Sequence, residues 1–240
     1  MNLWYLFIIA FSFYFLRQIW FYFPKNEIAT MPYLMLLTAL RVAAAMVLSV
    51  VIFVPIGVWI GLKPNLVRIF QPILQILAAL PSNLLYPLVA IYLVAFHQSL
   101  GWWSIFLIML GTQWYILFNV IAGVSSLPTQ MLELNELFGV KGWMWWRKFL
   151  IPAIFPFIVT GIISAAGGAW NAAITAEVIQ WGDKTLTTNG LGAYITSTSA
   201  SNALPQAALG CFAMCLMVGL CILFIWKPLY HLAENKFKIE

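Results

Sequence analysis

The sequence is poor in charge, and the charge that it has is unevenly placed. Only 8% of its 240 residues are Asp, Glu, Lys or Arg, against about 25% in an average soluble domain. No charged residue occurs between Arg68 and Glu133. So little charge is incompatible with a surface that lies in water on all sides, and an ordinary soluble domain is therefore excluded.

Residue types that support catalysis or metal binding are also scarce. The three cysteines, Cys211, Cys215 and Cys221, have a spacing that matches no common zinc or redox pattern. The two histidines, His97 and His231, lie far in sequence from any cluster of acids, so no metal site is predicted. The chain also lacks the Gly-x-x-x-x-Gly-Lys-Ser/Thr motif that cradles nucleotide phosphates. These absences predict a protein that is not an enzyme and has no cofactor of its own.

Apolar residues dominate the rest of the sequence. They make up 63% of the chain, and the mean hydropathy is +0.94. A membrane-spanning helix needs roughly 20 mostly apolar residues, so this length allows about six. Lipid offers no hydrogen-bond partner to the backbone, which favours helices. The prediction is an all-α, polytopic membrane protein with one transmembrane domain over 1–240. The predicted spans are 3–23, 33–62, 70–96, 102–124, 153–178 and 205–227.

The net charge of +5 is interpreted as a signal of membrane orientation, with no nucleic acid partner predicted. Lys and Arg favour cytoplasmic loops, and eight lie on one side of the predicted bundle against two on the other. The side of residues 128–152 is therefore predicted to be cytoplasmic, with both termini inside. The region 179–204 becomes an external loop and 228–240 a cytoplasmic tail. The eight are Lys63, Arg68, Lys141, Arg147, Lys148, Lys227, Lys236 and Lys238, and the two are Lys25 and Lys184.

Residues 128–152 form the most charged stretch, and they have the pattern of a short helix followed by a membrane-surface segment. Apolar residues recur at helical spacing in its first part, whereas Glu133 and Glu136 lie off that stripe. Pro128 suits a first helical turn, and Gly139 suits a left-handed C-cap. Taken alone, the stretch fits a loop that anchors two spans at the lipid headgroups. The stripe consists of Met131, Leu134, Leu137 and Phe138, and the surface segment carries Trp143, Trp145, Trp146, Arg147 and Lys148.

The spacing of Glu133, Gly139 and Ile151–Pro152 resembles the cytoplasmic signature of ABC importer permeases. In that signature a Glu is followed six residues later by a Gly and thirteen after that by a Pro behind an aliphatic residue, which this chain matches. Leu134 and Asn135 stand where the family usually has two alanines. Other segments resemble the family in order, and the last two are similar to its nitrate/sulfonate/taurine group. They are TALRV at 38–42, PIGVWIGL at 55–62, LQILAALPSNLLYPL at 74–88, GGAWNAAITAEVI at 167–179 and GLGAYI at 190–195.

The resemblance implies a type I ABC importer permease fold and a role as the translocation path for a small solute such as nitrate, a sulfonate or taurine. It implies a second permease subunit, identical or not, and two cytoplasmic ATPase subunits that bind ATP and Mg. It also implies an external or periplasmic substrate-binding protein and a place in the lipid of the bacterial inner membrane. In the family this loop is a coupling helix that docks on the ATPase. The coupling residues would be Glu133, Leu134, Glu136, Leu137, Phe138, Gly139 and Pro152.

Polar residues within the predicted spans are the candidates for the path. Such residues usually face the bundle interior, although many only hold helices together. Arg41, near the outer end of the second predicted span, is expected to be a structural charge that faces inward or the interface. An alternative function is a stand-alone channel or secondary carrier, in which 133–152 is only an interfacial anchor. A membrane-bound enzyme is disfavoured because no catalytic side chains cluster. The path or gate candidates are Asn83, Gln113, Asn171, Thr175 and Glu177.

Overall fold

A computed structural model of the chain describes residue 17 and the ranges 24–182 and 184–236. The described part is helical apart from one hairpin of two strands, which confirms the prediction of a helical membrane protein. The predicted span 3–23 lies outside the described residues except at Arg17. The helices are α1 Lys25–Ile28, α2 Met31–Gly61, α3 Pro64–Ala79, α4 Tyr86–Ala95, α5 Leu100–Ser125, α6 Thr129–Leu137, α7 Gly142–Trp145, α8 Ile151–Ala176, α9 Leu191–Ala200, α10 Leu204–Cys221 and α11 Lys227–Lys236. The strands are β1 Val178–Trp181 and β2 Lys184–Thr187.

Four helical stretches in the described part are long and apolar enough to cross a membrane. The last two extend well beyond their predicted spans because π-helical turns, Trp146–Leu150 and Ile222–Trp226, join α7 to α8 and α10 to α11. A proline follows each turn by two residues, at Pro152 and Pro228. Proline lacks an N–H and crowds the carbonyl four residues earlier, which favours wider winding there. The four stretches are Asn26–Gly61, Leu100–Ser125, Gly142–Ala176 and Leu204–Asn235.

The span predicted over 70–96 is not one straight helix. Leu80 has an extended backbone, with ψ of 124°, because the residue before a proline disfavours the helical region. A 3₁₀ turn, Ser82–Leu85, follows Pro81, and it leads directly into α4. The two halves meet at an angle of 78°. The described residues therefore hold four spans, or five if this bent pair counts as one.

Helix α5 lies at the centre of the bundle, between α2 and α8. Glycines allow these helices to approach closely, as small residues commonly do in membranes. A Cβ atom on Gly57 would lie 2.8 Å from a methyl group of Val120, and one on Gly161 would lie 3.1 Å from Cα of Ile116. The buried core is built from aliphatic side chains of all three helices.

The bundle has two ends with different structures. One end, the loop end, carries residues 126–150. There the hydroxyl of Ser125 lies 3.4 Å from the carbonyl of Gly61, so the C-terminal ends of α2 and α5 lie side by side. Helix α8 starts there, and its 26 residues rise about 39 Å to the hairpin end. At the hairpin end β1 pairs antiparallel with β2, from Val178 opposite Thr187 to Trp181 opposite Lys184, and α9 follows. The region predicted as an external loop, 179–204, thus has regular structure.

Candidate functional site

Helix α6 has a defined stop at the glycine of the signature. Gly139 has φ of +62°, a left-handed conformation that costs a residue with a side chain more than it costs glycine. Its N–H donates to the carbonyl of Glu136 at 3.0 Å, and the N–H of Val140 donates to the carbonyl of Asn135 at 3.4 Å. These two bonds are the Schellman pattern of helix termination. The glycine therefore ends α6, and the chain continues into α7 and α8.

The apolar stripe predicted for α6 divides into two parts. Met131 is half-buried and lines a cleft of about 270 Å³ with Met144 and Phe149. Leu137 and Phe138 are far more exposed, at 82% and 79%, although Phe138 also borders that cleft. The remaining predicted coupling residues Glu133, Leu134 and Glu136 are exposed, and Pro152 is half-buried in the first turn of α8.

The segment after α6 has the features of a membrane-surface anchor. Trp143 is exposed, while the rings of Trp145 and Trp146 are half-buried and stand edge to face with centroids 5.5 Å apart. Arg147 and Lys148 are exposed beside them. Tryptophan and basic residues together favour the headgroup region of a bilayer. The stretch 128–152 thus combines an anchor with a capped helix that exposes apolar side chains.

One face of α8 is exposed and polar although the helix lies in the membrane bundle. The residues of this face recur every three or four positions, which places them on one side of the helix. We call it the α8 face. Polar groups in a spanning segment usually border a water-filled path or another subunit. The α8 face consists of Thr160, Ser164, Gly167, Asn171 and Thr175, all of them exposed.

The α8 face has polar neighbours on two other elements. The hydroxyl of Tyr86 in α4 lies 3.4 Å from the hydroxyl of Thr175. Tyr115 of α5 borders the face from the other side, since its ring would come within 3.2 Å of a Cβ atom on Gly168. Asn83 is exposed in the 3₁₀ turn just before α4. Asn171, Thr175 and Asn83 are therefore accessible candidates for the path.

The other two path candidates are not exposed. Gln113 is buried in α5, and Glu177 has no exposed surface. Arg41 donates to Glu177 Oε1 at 2.8 Å, and the hydroxyl of Thr38 donates to the same oxygen at 2.8 Å. The N–H of Ala193 donates to Glu177 Oε2 at 3.1 Å. Arg41 and Glu177 form the only ion pair among the residues that the structure describes.

The same groups hold the start of α9. The N–H of Leu191 donates to the hydroxyl of Thr38 at 2.8 Å. Arg41 also donates to the carbonyl of Asn189 at 2.7 Å and to the hydroxyl of Thr188 at 2.9 Å. The first amides of a helix lack partners within the helix, and Gly190 has no side chain to supply one. We call Thr38, Arg41, Glu177, Thr188 and Asn189, with the amides of Leu191 and Ala193, the Glu177 network.

Two glycines make this packing possible. A Cβ atom on Gly190 would lie 2.2 Å from the carboxylate of Glu177, and one on Gly192 would lie 2.6 Å from the carbonyl oxygen of Ala173. Farther along α9, the Tyr194 hydroxyl donates to Glu27. Burial and the bond to Glu27 raise the pKa of Tyr194, so the phenol stays protonated as a donor. The GLGAYI segment thus joins α9 to α8, α2 and α1.

No specific partner for Arg41 or Glu177 was predicted from the sequence, although a signal was present. The two opposite charges lie near the outer ends of their predicted spans, at similar depth, and a charge in a membrane seeks a partner. Thr38 lies with Arg41 in the TALRV segment that resembles the family, whereas Thr188 and Asn189 carried no signal of their own. Their roles depend on the fold of the segment after β2.

Comparisons with known proteins identify the family. Residues 53–238 match the family described as binding-protein-dependent transport system inner membrane component, and the chain belongs to it. The predicted family is thereby confirmed: the chain is a permease-type membrane component and not itself an enzyme.

Three relatives illustrate the likeness. The bicarbonate transport system permease protein CmpB of Synechocystis sp. is 30% identical over 174 residues, which are 72% of this chain and 58% of the relative. The nitrate import permease protein NrtB of Leptolyngbya laminosa is 29% identical over 142 residues, 59% of this chain and 50% of the relative. The taurine transport system permease protein TauC of Escherichia coli is 26% identical over 157 residues, 65% of this chain and 54% of the relative. The matched segments thus span between 50% and 58% of these relatives' lengths.

Proposed function

We propose that the chain is the membrane-spanning subunit of an ABC importer and that α6 couples it to a separate ATPase. The observation that carries this proposal is the capped helix at the loop end, on which Leu137 and Phe138 are largely exposed. Fully burying one large apolar side chain contributes about 1.5–3 kcal/mol. A partner that covers both side chains would gain that stabilisation twice.

The structure of α6 suits a mechanical link. The Schellman pattern at Gly139 fixes where the helix ends, and the π turn before Pro152 joins the loop to α8. A displacement of α6 would therefore be passed to the helix that carries the α8 face. ATP and Mg would bind to the ATPase subunits and not to this chain. Two sites that bias one shared element are what coupling requires.

The α8 face is the best candidate for the wall of the path. One copy of the chain leaves this face open, so a second permease subunit, identical or not, would complete the enclosure. Asn171 and Thr175 offer neutral hydrogen-bonding groups there. The relatives suggest small solutes such as bicarbonate, nitrate or taurine, and an external or periplasmic binding protein would deliver the solute.

The basic residues of the loop end support an orientation for the chain in the membrane. Lys141, Arg147 and Lys148 lie there, whereas Lys184 lies at the hairpin end. By the positive-inside rule the loop end would face the cytoplasm of a bacterial inner membrane. Both termini would be cytoplasmic, and the hairpin end would face the binding protein.

The test begins with the intact complex purified from native membranes. Its partner chains are identified, the complex is reconstituted into liposomes, and ATP-driven uptake of labelled bicarbonate, nitrate and taurine is measured. The double variant Leu137→Ser/Phe138→Ser is expected to lose most uptake but to stay inserted. Leu204→Ser, at a side chain 73% exposed at the hairpin end, is the control and should transport normally. Uptake that needs no ATP, or that survives the double change, would favour a stand-alone channel or carrier.

A further inference from the structure

The Glu177 network is more than a helix-to-helix contact. It joins α2, the end of α8, the connection after β2 and the start of α9 through six hydrogen bonds of 2.7–3.1 Å. Glu177 follows Thr175, the last residue of the α8 face, by only two positions. The contacts that hold Glu177 therefore also fix the position of Thr175 at the end of the proposed path.

The network is also built to stay closed. Glu177 is fully enclosed, and both of its carboxylate oxygens have donors. Parting Arg41 from it would leave an uncompensated charge in an apolar surrounding, which is strongly unfavourable. A link that opened in every transport cycle would have to overcome this barrier each time. A permanent link would not.

We propose that Arg41 and Glu177 are positioning residues for transport. They hold α2, the end of α8 and the start of α9 as one rigid body throughout the cycle, so that Asn171 and Thr175 keep their place at the mouth of the path. This inference rests on the proposed function, because it assigns the α8 face to the path. Glu177 acts here as the acceptor that caps α9, as well as the counter-charge of Arg41.

The two roles of Glu177 can be separated by substitution. Glu177→Gln keeps an acceptor oxygen but removes the charge and leaves Arg41 unpaired. The neutral pair Arg41→Gln/Glu177→Gln removes both charges and keeps hydrogen-bonding groups at both positions. The exchanged pair Arg41→Glu/Glu177→Arg restores opposite charges, but an arginine at 177 has no acceptor for the N–H of Ala193.

The experiment compares these variants in the reconstituted complex. The amount of assembled complex, the ATPase rate and the uptake of labelled bicarbonate, nitrate and taurine are measured for each. We expect Glu177→Gln to lower uptake per ATP hydrolysed about tenfold while the ATPase rate persists. The neutral pair should recover most of the uptake per ATP hydrolysed, and the exchanged pair should not.

Several outcomes would overturn the proposal. Uptake and ATPase activity that fall in proportion to the amount of complex would reduce the network to a structural role, as would a neutral pair that fails to assemble. An exchanged pair that transports normally would show that charge alone matters and that α9 needs no cap from Glu177. An unchanged uptake per ATP hydrolysed in every variant would show that neither Arg41 nor Glu177 is a positioning residue for transport. If the unsubstituted complex showed no ATP-driven uptake, the proposed function itself would fail instead.

Discussion

The two ends of the bundle are stabilised in opposite ways. At the hairpin end, charged and polar groups are buried and paired inside the chain, with Glu177 fully enclosed and bonded from α2 and α9. At the loop end, the large apolar side chains of Leu137 and Phe138 are exposed. Within the described residues, Glu133 and Glu136 make no ion pair.

This contrast shows which contacts the chain completes by itself. The Glu177 network at the hairpin end pairs its own polar groups, so its geometry is set by the fold. The loop end has a fixed backbone, set by the cap at Gly139, but leaves apolar surface uncovered. Large exposed apolar groups at a polar end of a protein mark an interaction surface. The following changes test this difference in order of expected size.

The largest effect is expected for Arg41→Leu, which leaves the buried carboxylate of Glu177 without its counter-charge. Removing one partner of a buried pair costs about 3–5 kcal/mol. Thermal unfolding of the detergent-solubilised protein should show the loss. Arg68→Leu is the control because Arg68 is exposed, and it should change stability by less than about 0.5 kcal/mol. Equal losses of stability in Arg41→Leu and Arg68→Leu would show that the ion pair of the hairpin end contributes no more than an exposed arginine.

Gly190→Ala is expected to come next. Its Cβ atom would lie 2.2 Å from the carboxylate of Glu177, so either the network or α9 must shift. Overpacking of this kind costs about 1–3 kcal/mol. Gly219→Ala is the matched control, because among the described residues no atom outside its own stretch of helix lies within 4 Å of the added Cβ. Unfolding midpoints should separate the two, and an unchanged Gly190→Ala midpoint would contradict the tight packing of Gly190 against the carboxylate of Glu177.

A smaller and more local effect is expected for Gly139→Ala. Among the described residues, no atom beyond its chain neighbours lies within 4 Å of the added Cβ, so the cost is only that of a left-handed backbone, about 1–2 kcal/mol. Amide hydrogen exchange should speed up in α6 and stay unchanged in α9. Gly139→Asn should be milder, because asparagine tolerates this conformation better. Faster exchange in α9 as well would show that the two ends are not independent.

The smallest effect on stability is expected for Leu137→Ser/Phe138→Ser in the isolated chain. Both side chains are exposed, so the unfolding free energy should change by less than about 0.5 kcal/mol. Leu107→Ser, at a side chain with no exposed surface, should be strongly destabilising by comparison. A large loss of unfolding free energy from the double change would mean that these side chains of α6 pack within the chain and do not form a free docking surface.

Much of the fold was predictable from hydrophobic runs. The predicted spans 33–62 and 102–124 differ from α2 and α5 by one or two residues at each end. The span 70–96 failed as a straight helix because Pro81 outweighs the apolar run around it. The hairpin was missed, since each strand has only four residues, and VIQW is mostly apolar whereas KTLT is mostly polar.

The candidate site was predictable in part. Glu133, Gly139 and Pro152 were recognised by spacing, and helical periodicity located the stripe of α6. Periodicity could not tell that Met131 turns inward while Leu137 turns outward. The partners of Arg41 were out of reach, because Glu177 lies 136 residues away and contacts at that separation leave no local pattern.

The central claim is that the loop end docks on an ATPase, and a crosslink tests it most directly. Cys211, Cys215 and Cys221 are replaced by serine, Leu137→Cys is introduced, and the purified complex is treated with a short thiol-to-amine crosslinker. The account predicts a product that joins this chain to a co-purifying ATPase, and no such product from the control Leu204→Cys at the hairpin end. Absence of the product with every co-purifying ATPase, or equal product from both positions, would contradict it.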